Sequence, residues 1–144
     1  MDKNIYKSEI GKSIIESRYK NILSNYTGYP FEQIYAQTKI ANTHILKFGD
    51  VSRPALIMIH GSTSNSAAWL GCISEFINDF CIYCVDIPGE IGLSRPIRCT
   101  LNSKEPNEWL SSLLDALKIE KAFFLTMSLG SWYALNFAVN NPQR

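Results

Sequence analysis

The sequence predicts an α/β fold, a mostly parallel sheet covered by helices and preceded by a leading helix and a β-hairpin. Three observations predict it. Short, continuous apolar runs recur at PALIMIHG, FCIYCVDIPG and KAFFLTMS, the pattern of strands buried on both faces. Segments with helical apolar spacing alternate with these runs, the rhythm of a strand–helix–strand sheet. Ahead of the first run lie one helical segment and two short segments of β-type alternation.

The elements follow in chain order. SEIGKSIIESRYKNILSNY carries Ile10, Ile14, Ile15, Tyr19, Ile22, Leu23 and Tyr26 at helical spacing, which predicts one apolar face. Gly28 and Pro30 close that helix. FEQIYAQTKI and THILKFGD alternate and are rich in β-branched residues, so they predict two antiparallel strands turning around Ala41–Asn42. Gly49-Asp50 turns the chain into the first buried strand. SAAWLGCISEFIN, residues 66–78, reads as a helix with Trp69, Ile73, Phe76 and Ile77 on one side. PNEWLSSLLDALK reads as a second helix, with Trp109, Leu110, Leu113, Leu114 and Leu117 inward, and LGSWYALNFAVNN as a third. Trp69 and Trp109 are core residues on this reading. Residues 1–28 form a leading helical segment and residues 29–144 a single core, with no repeat and no low-complexity stretch.

Composition narrows the function classes. A chain of 144 residues that is 46% hydrophobic and 19% charged fits one globular domain. Fourteen basic against thirteen acidic residues leave a net charge of +1, with no basic block, which argues against nucleic acid or anionic lipid as partner. The first thirty residues lack an apolar signal region, and no stretch approaches the roughly 18 to 20 apolar residues of a membrane span. The expected location is the cytoplasm. Of the four cysteines (Cys72, Cys81, Cys84, Cys99), Cys81 and Cys84 form C-x-x-C, but inside a strand residues three apart face opposite ways. Buried free thiols are expected, not a redox or metal pair. No metal cluster is expected, and Gly89 and Gly92 lack the G-x-G-x-x-G spacing of a phosphate loop, so no cofactor is expected either.

In an open α/β sheet, ligands bind beyond the carboxyl ends of the strands. Three unusual stretches fall there: His60-Gly61-Ser62, Asp86-Ile87-Pro88-Gly89 and Ser128-Leu129-Gly130. A serine wedged between strand and helix sits on a sharp turn that lifts its hydroxyl above the sheet. The Leu129 N–H then lies at a helix N-terminus, where orphan donors and the positive dipole end favour developing negative charge. Such a turn needs small residues two before and two after the serine; Gly130 meets that need and Thr126 only partly. Serine is also a preferred helix N-cap, so Ser128 alone decides nothing. The His60 loop can offer a second backbone donor, Ser62 N–H, toward the same pocket. Gly61 permits a turn that another residue would not make. His60 itself reads as a structural histidine whose ring ties down its own loop.

Taken together, LIMIHG followed by Trp69, then VDIPG…GLS (85–94), then TMSLGS resemble the α/β-hydrolase superfamily from about residue 31 onward. The resemblance is to carboxylesterase-like members, in which a leading helix and hairpin precede the H-G strand. It implies the N-terminal portion of an α/β-hydrolase fold with strand order 1-2-4-3-5. It implies a serine hydrolase acting on small ester-like substrates, with Ser128 as nucleophile and the Ser62 and Leu129 N–H groups as oxyanion hole. Two departures stand out. Thr126 occupies the first glycine position of G-x-S-x-G, and the D-x-P-G-x-G-x-S loop is one residue longer, with Glu90-Ile91 in place of one.

Serine needs an adjacent base, and in this superfamily the order is Ser, then Asp or Glu, then His. Beyond Ser128 the sequence contains none of these. His44 falls three strands from Ser128 in the implied order, on the order of 14 Å away, and reads as an ordinary strand residue. The expectation is therefore a chain truncated before its acid and histidine, inactive alone, with the last buried strand left as an open edge. That edge suits self-association or pairing with a second fragment. The alternative expectation is a non-catalytic member of the same fold that binds a small molecule or partner.

Overall fold

The computed structural model describes residues 5–144. Its five strands form one sheet in the order β1 (Phe31–Gln37), β2 (Asn42–Phe48), β4 (Cys81–Val85), β3 (Ala55–Ile59), β5 (Ala122–Thr126). The β1–β2 hairpin and the β2–β4 pair are antiparallel, while β3 pairs in parallel with β4 and β5. The expected strand order and the parallel core of β4, β3 and β5 are thus observed. The hairpin turn falls slightly earlier than expected, closed by Thr38, whose hydroxyl donates to Ala41 O at 2.7 Å.

Both faces of β2, β4 and β3 are covered, whereas β5, expected as a strand buried on both faces, is the sheet edge and leaves Phe123 60% exposed. Helices α2 (Glu105–Ala116) and α3 (Leu129–Asn140) lie on one side, packing Trp109, Leu110, Leu113, Tyr133 and Phe137 against Ile45, Ile57, Ile59 and Val85. Trp109 is anchored by its Nε1–H, which donates to Thr43 Oγ1 at 2.9 Å. The other side buries Leu46, Phe48, Met58 and Ile82 beneath Tyr19, Leu23, Trp69 and Ile73. Cys81 belongs to the first of these clusters and Cys84 to the second, so the strand directs the two thiols to opposite faces, and neither is in a disulfide.

Helix α1 (Glu9–Ser24) starts where Ser8, in extended backbone, accepts the Gly11 N–H on its hydroxyl at 3.1 Å. Its buried contacts are narrower than the seven-residue stripe predicts. Tyr19 and Leu23 are fully buried, whereas Ile10, Ile14 and Ile22 are exposed. The helix touches the sheet along one short patch, and periodicity alone overstates the contact.

Residues 66–78 also differ from expectation. In place of one α-helix they form two 3-10 turns, Ser66–Trp69 and Ile73–Glu75. Asn65 caps the first, and Gly71, a poor helix former, separates them. Trp69 and Ile73 still reach the core, so the apolar pattern served burial without a continuous helix. Among the described residues no helix is long and apolar enough to cross a membrane.

Candidate active site

Strands β3, β4 and β5 end side by side, and the three stretches singled out in the sequence meet there. At the end of β5, Met127 N–H still donates to Ile59 O at 3.1 Å, so the sheet holds the chain up to the residue before Ser128. Ser128 then takes φ 51° and ψ −115°, a backbone conformation that a residue with a Cβ rarely adopts. Two close approaches accompany the turn. A Cβ on Gly130 would run into the carbonyl oxygens of Ile59 and His60, and a Cβ on Gly61 would sit 3.3 Å from the Ser128 Cβ. These two glycines bring the start of α3 and the His60 loop up against the serine.

Although Ser128 occupies the N-cap position of α3, its side chain makes no capping bond, and the residue is exposed. The hydroxyl is therefore free to meet a ligand. Thr126 carries a role that glycine would not: its Oγ1 donates to Ser131 Oγ at 3.0 Å, tying the end of β5 to the first turn of α3. Ser62 and Leu129 line a common cavity of about 170 Å³ with Pro88, Glu90, Arg98 and Tyr133 among its other walls. A wider groove of about 640 Å³ lies at the opposite end of β5, between Lys118 and Arg144, and its lining has no hydroxyl or thiol.

The His60 ring is fully buried. Its Nδ1 lies 2.7 Å from Gly61 O, and its Nε2 accepts the Ile87 N–H at 3.0 Å. An N–H donor facing Nε2 makes that nitrogen an acceptor, which leaves the proton on Nδ1. Burial holds this imidazole below its ordinary value, although the Gly61 bond and the charges of Asp86 and Glu90 oppose the effect. Nδ1 ties the ring to its own loop through Gly61 O, and Nε2 joins that loop to the one after β4 through the Ile87 N–H.

Sequence reasoning missed what surrounds Asp86. This carboxylate is buried and accepts four hydrogen bonds: Ser66 N–H at 2.8 Å and Tyr19 O–H at 3.2 Å on Oδ1, with Leu93 N–H at 2.8 Å and His44 Nδ1 at 2.9 Å on Oδ2. Burial alone would raise its pKa. The bond and charge of His44, with the bonds from Leu93 and Ser66, outweigh burial and hold the carboxyl below its ordinary value. His44 is correspondingly no ordinary strand residue. It is fully buried, paired with Asp86, and meets Gln33 Oε1 through Nε2 at 3.0 Å. The available signal was a histidine and an aspartate, each at a register that points inward from an apolar strand.

Neither histidine bonds to Ser128, and all four ring nitrogens are engaged elsewhere. Among the described residues no group of three or more His, Cys, Asp or Glu side chains is placed to hold a metal ion.

Comparison with known proteins places this arrangement. Carboxylesterase YbfK of Bacillus subtilis is 33% identical over 113 residues, covering 78% of this chain and 38% of the relative. A pimeloyl-[acyl-carrier protein] methyl ester esterase of Vibrio parahaemolyticus is 33% identical over 103 residues, 72% of this chain and 37% of that protein. The crystal structure of carboxylesterase CesB (YbfK) from Bacillus subtilis superposes with a TM-score of 0.86 at 29% identity, over 94% of this chain and 47% of the other. That of naproxen esterase, also from Bacillus subtilis, gives 0.83 at 27% identity, over 96% and 48%. The chain thus spans less than half the length of these relatives. The profile of the alpha/beta hydrolase fold matches residues 54–144, which include all three strand ends that meet at Ser128, and the chain belongs to that family.

Proposed function

We propose that this chain carries the nucleophile and oxyanion hole of a carboxylesterase-type serine hydrolase. Ser128 Oγ attacks the carbonyl carbon of a small ester, and the N–H groups of Leu129 and Ser62 receive the negative charge that develops on the carbonyl oxygen. The alcohol leaves, and water releases the acid from Ser128. The observation that carries the reading is the Ser128 backbone, φ 51° with an exposed hydroxyl that caps nothing. Strain of this kind is retained where a side chain must be presented. Similarity to carboxylesterases supports the choice of ester over other substrates of the fold.

Attack requires a base, and the two histidines are occupied. Under this reading the base is a group that residues 1–144 do not supply, so the chain by itself turns over little ester. In a preparation that supplies the base, a fluorophosphonate probe tests the assignment: an adduct mapped to Ser128 and absent from Ser128→Ala supports it, and an adduct on another residue refutes it.

One observation favours a second reading, the engagement of all four histidine nitrogens away from Ser128. On that reading the cavity beside Ser62 and Leu129 binds a small ligand without chemistry. Saturable ester binding by calorimetry, with no Ser128 adduct in that same base-supplying preparation even after prolonged exposure to the probe, would select it.

A further inference from the structure

We propose that Glu90 is a positioning residue for the oxyanion hole, clamping the loop that carries Ser62. The purpose of the clamp rests on the serine-hydrolase reading; the clamp itself rests on loop geometry. Thr63, the residue after Ser62, has φ 55°, a left-handed conformation unusual for a β-branched side chain. What holds it is a contact 27 positions along the chain: the Thr63 N–H donates to Glu90 Oε2 at 2.6 Å. The Glu90 side chain is only 4% exposed, and a carboxylate so buried needs partners. It has a second in Arg98, whose Nη2 lies 3.4 Å from Oε1 and whose Nε–H donates to Gly89 O at 3.1 Å.

The placement has a consequence for charge. Ser62, Leu129, Glu90 and Arg98 line the same cavity. A bare carboxylate there would oppose an anion forming against the Ser62 and Leu129 N–H groups. Arg98 offsets that charge, while its 60% exposed side chain keeps its own cation solvated. Glu90 is also one of the two residues, Glu90-Ile91, that stand where the family loop has one. The longer loop thus brings a carboxylate within reach of the Thr63 amide.

The experiment compares Glu90→Ala and Glu90→Gln with the unmodified full chain by amide hydrogen exchange read residue by residue in NMR spectra. Loss of a hydrogen bond to a charged group predicts that Thr63 exchanges roughly tenfold to a hundredfold faster in Glu90→Ala. Glu90→Gln keeps an acceptor oxygen and restores most of the protection. Amides of Ile57, Met58 and Ile59 serve as the control that each variant is folded. Unchanged Thr63 exchange in Glu90→Ala overturns the clamp. In any preparation whose ester turnover depends on Ser128, Glu90→Ala lowers kcat with little change in KM, and Glu90→Gln recovers it; a loss confined to KM overturns the positioning role. Turnover that survives Ser128→Ala sinks the serine-hydrolase reading and leaves the Thr63 result standing.

Discussion

Replacing Asp86 by asparagine tests whether one carboxylate organises the loops around Ser128. The carboxylate accepts two backbone N–H groups at 2.8 Å, His44 at 2.9 Å and Tyr19 at 3.2 Å. Asparagine keeps one acceptor oxygen and puts an NH₂ where the other stood, so two of these four donors lose their partner and face another donor. Each buried donor left unsatisfied costs about 1–3 kcal/mol, and loss of charge assistance adds to it. The expected destabilisation is therefore about 2–6 kcal/mol, a large share of the roughly 5–15 kcal/mol typical of a domain. Urea unfolding followed by tryptophan fluorescence measures it. With a slope of about 2 kcal/mol per molar, the midpoint falls by roughly 1–3 M at unchanged slope. A shift below about 0.3 M would mean that the four bonds are worth no more than their hydration, and the reasoning fails.

The pH dependence follows with a definite sign. The Asp86 carboxyl titrates lower in the folded chain than its ordinary value, so below that ordinary value the unfolded state binds more protons. The stability it contributes is complete above the ordinary carboxylate value of about 4 and drains as pH falls through the depressed folded value. The facing titratable groups are Tyr19 from α1 and His44 from β2. The gap between wild type and Asp86→Asn is therefore widest near neutrality and narrows on acidification below about pH 4. A gap that widens there contradicts the assignment.

Three further outcomes are expected. Ser128→Gly relieves a positive-φ conformation that Ser128→Ala retains, so the glycine variant unfolds at higher urea, by about 1 kcal/mol or more, although both lack the hydroxyl; equal midpoints would show that no strain is stored there. Gly130→Ala drives a methyl group into the carbonyl oxygens of Ile59 and His60, neither of which can rotate away, and destabilises by at least about 2 kcal/mol in the same assay; a neutral result would mean that α3 can shift. Cys81 and Cys84 sit on opposite faces of β4, and burial raises the Cys84 thiol pKa, so Ellman's reagent leaves both unmodified until urea unfolds the chain, and mild oxidation yields no bond between them.

Legibility followed the physics of each signal. Strands β3 and β4 were readable because strands buried on both faces must be apolar throughout, and little else produces runs such as ALIMI and CIYCV; β5 shares the apolar run but lies at the sheet edge with Phe123 exposed. Helix α2 was readable from its periodicity, whereas α3 is apolar nearly all round, with Leu135 and Val139 exposed, and its buried face was not legible. The leading helix was readable as a helix but not as a contact, since Ile10 and Ile14 keep the period while facing solvent. Residues 66–78 misled because their apolar spacing suits two 3-10 turns as well as one helix. At the site, S-x-G between strand and helix located the turn, whereas the Ser128 dihedral angles and the absence of a capping bond are tertiary facts. Asp86 and Glu90 were invisible as hubs because half of their partners are backbone N–H groups, which every sequence position but proline possesses.

That last point bears on how the strand ends are built. The loops after β3 and β4 are joined by Asn65 Nδ2–H, which donates to Ile91 O, and at three further places that share one pattern: His60 to Ile87 N–H, Asp86 to Ser66 N–H, and Glu90 to Thr63 N–H. In each case a buried side chain on one loop takes a main-chain donor from the other, with the amide-bearing position left free to vary. Tyr19 and His44 bring α1 and the hairpin into the same arrangement through Asp86. The helix and hairpin that precede the parallel strands are therefore structural parts of the site, and disturbing Tyr19 reaches the Ser62 loop through Asp86 and Ser66 without touching Ser128. Tyr19→Phe removes one 3.2 Å bond and so costs only about 0.5–1.5 kcal/mol, but it should loosen the Ser66 amide before it loosens β3. Amide exchange that rises equally across β3 and the 66–69 turn would instead mean that α1 supports the fold as a whole and not the loops.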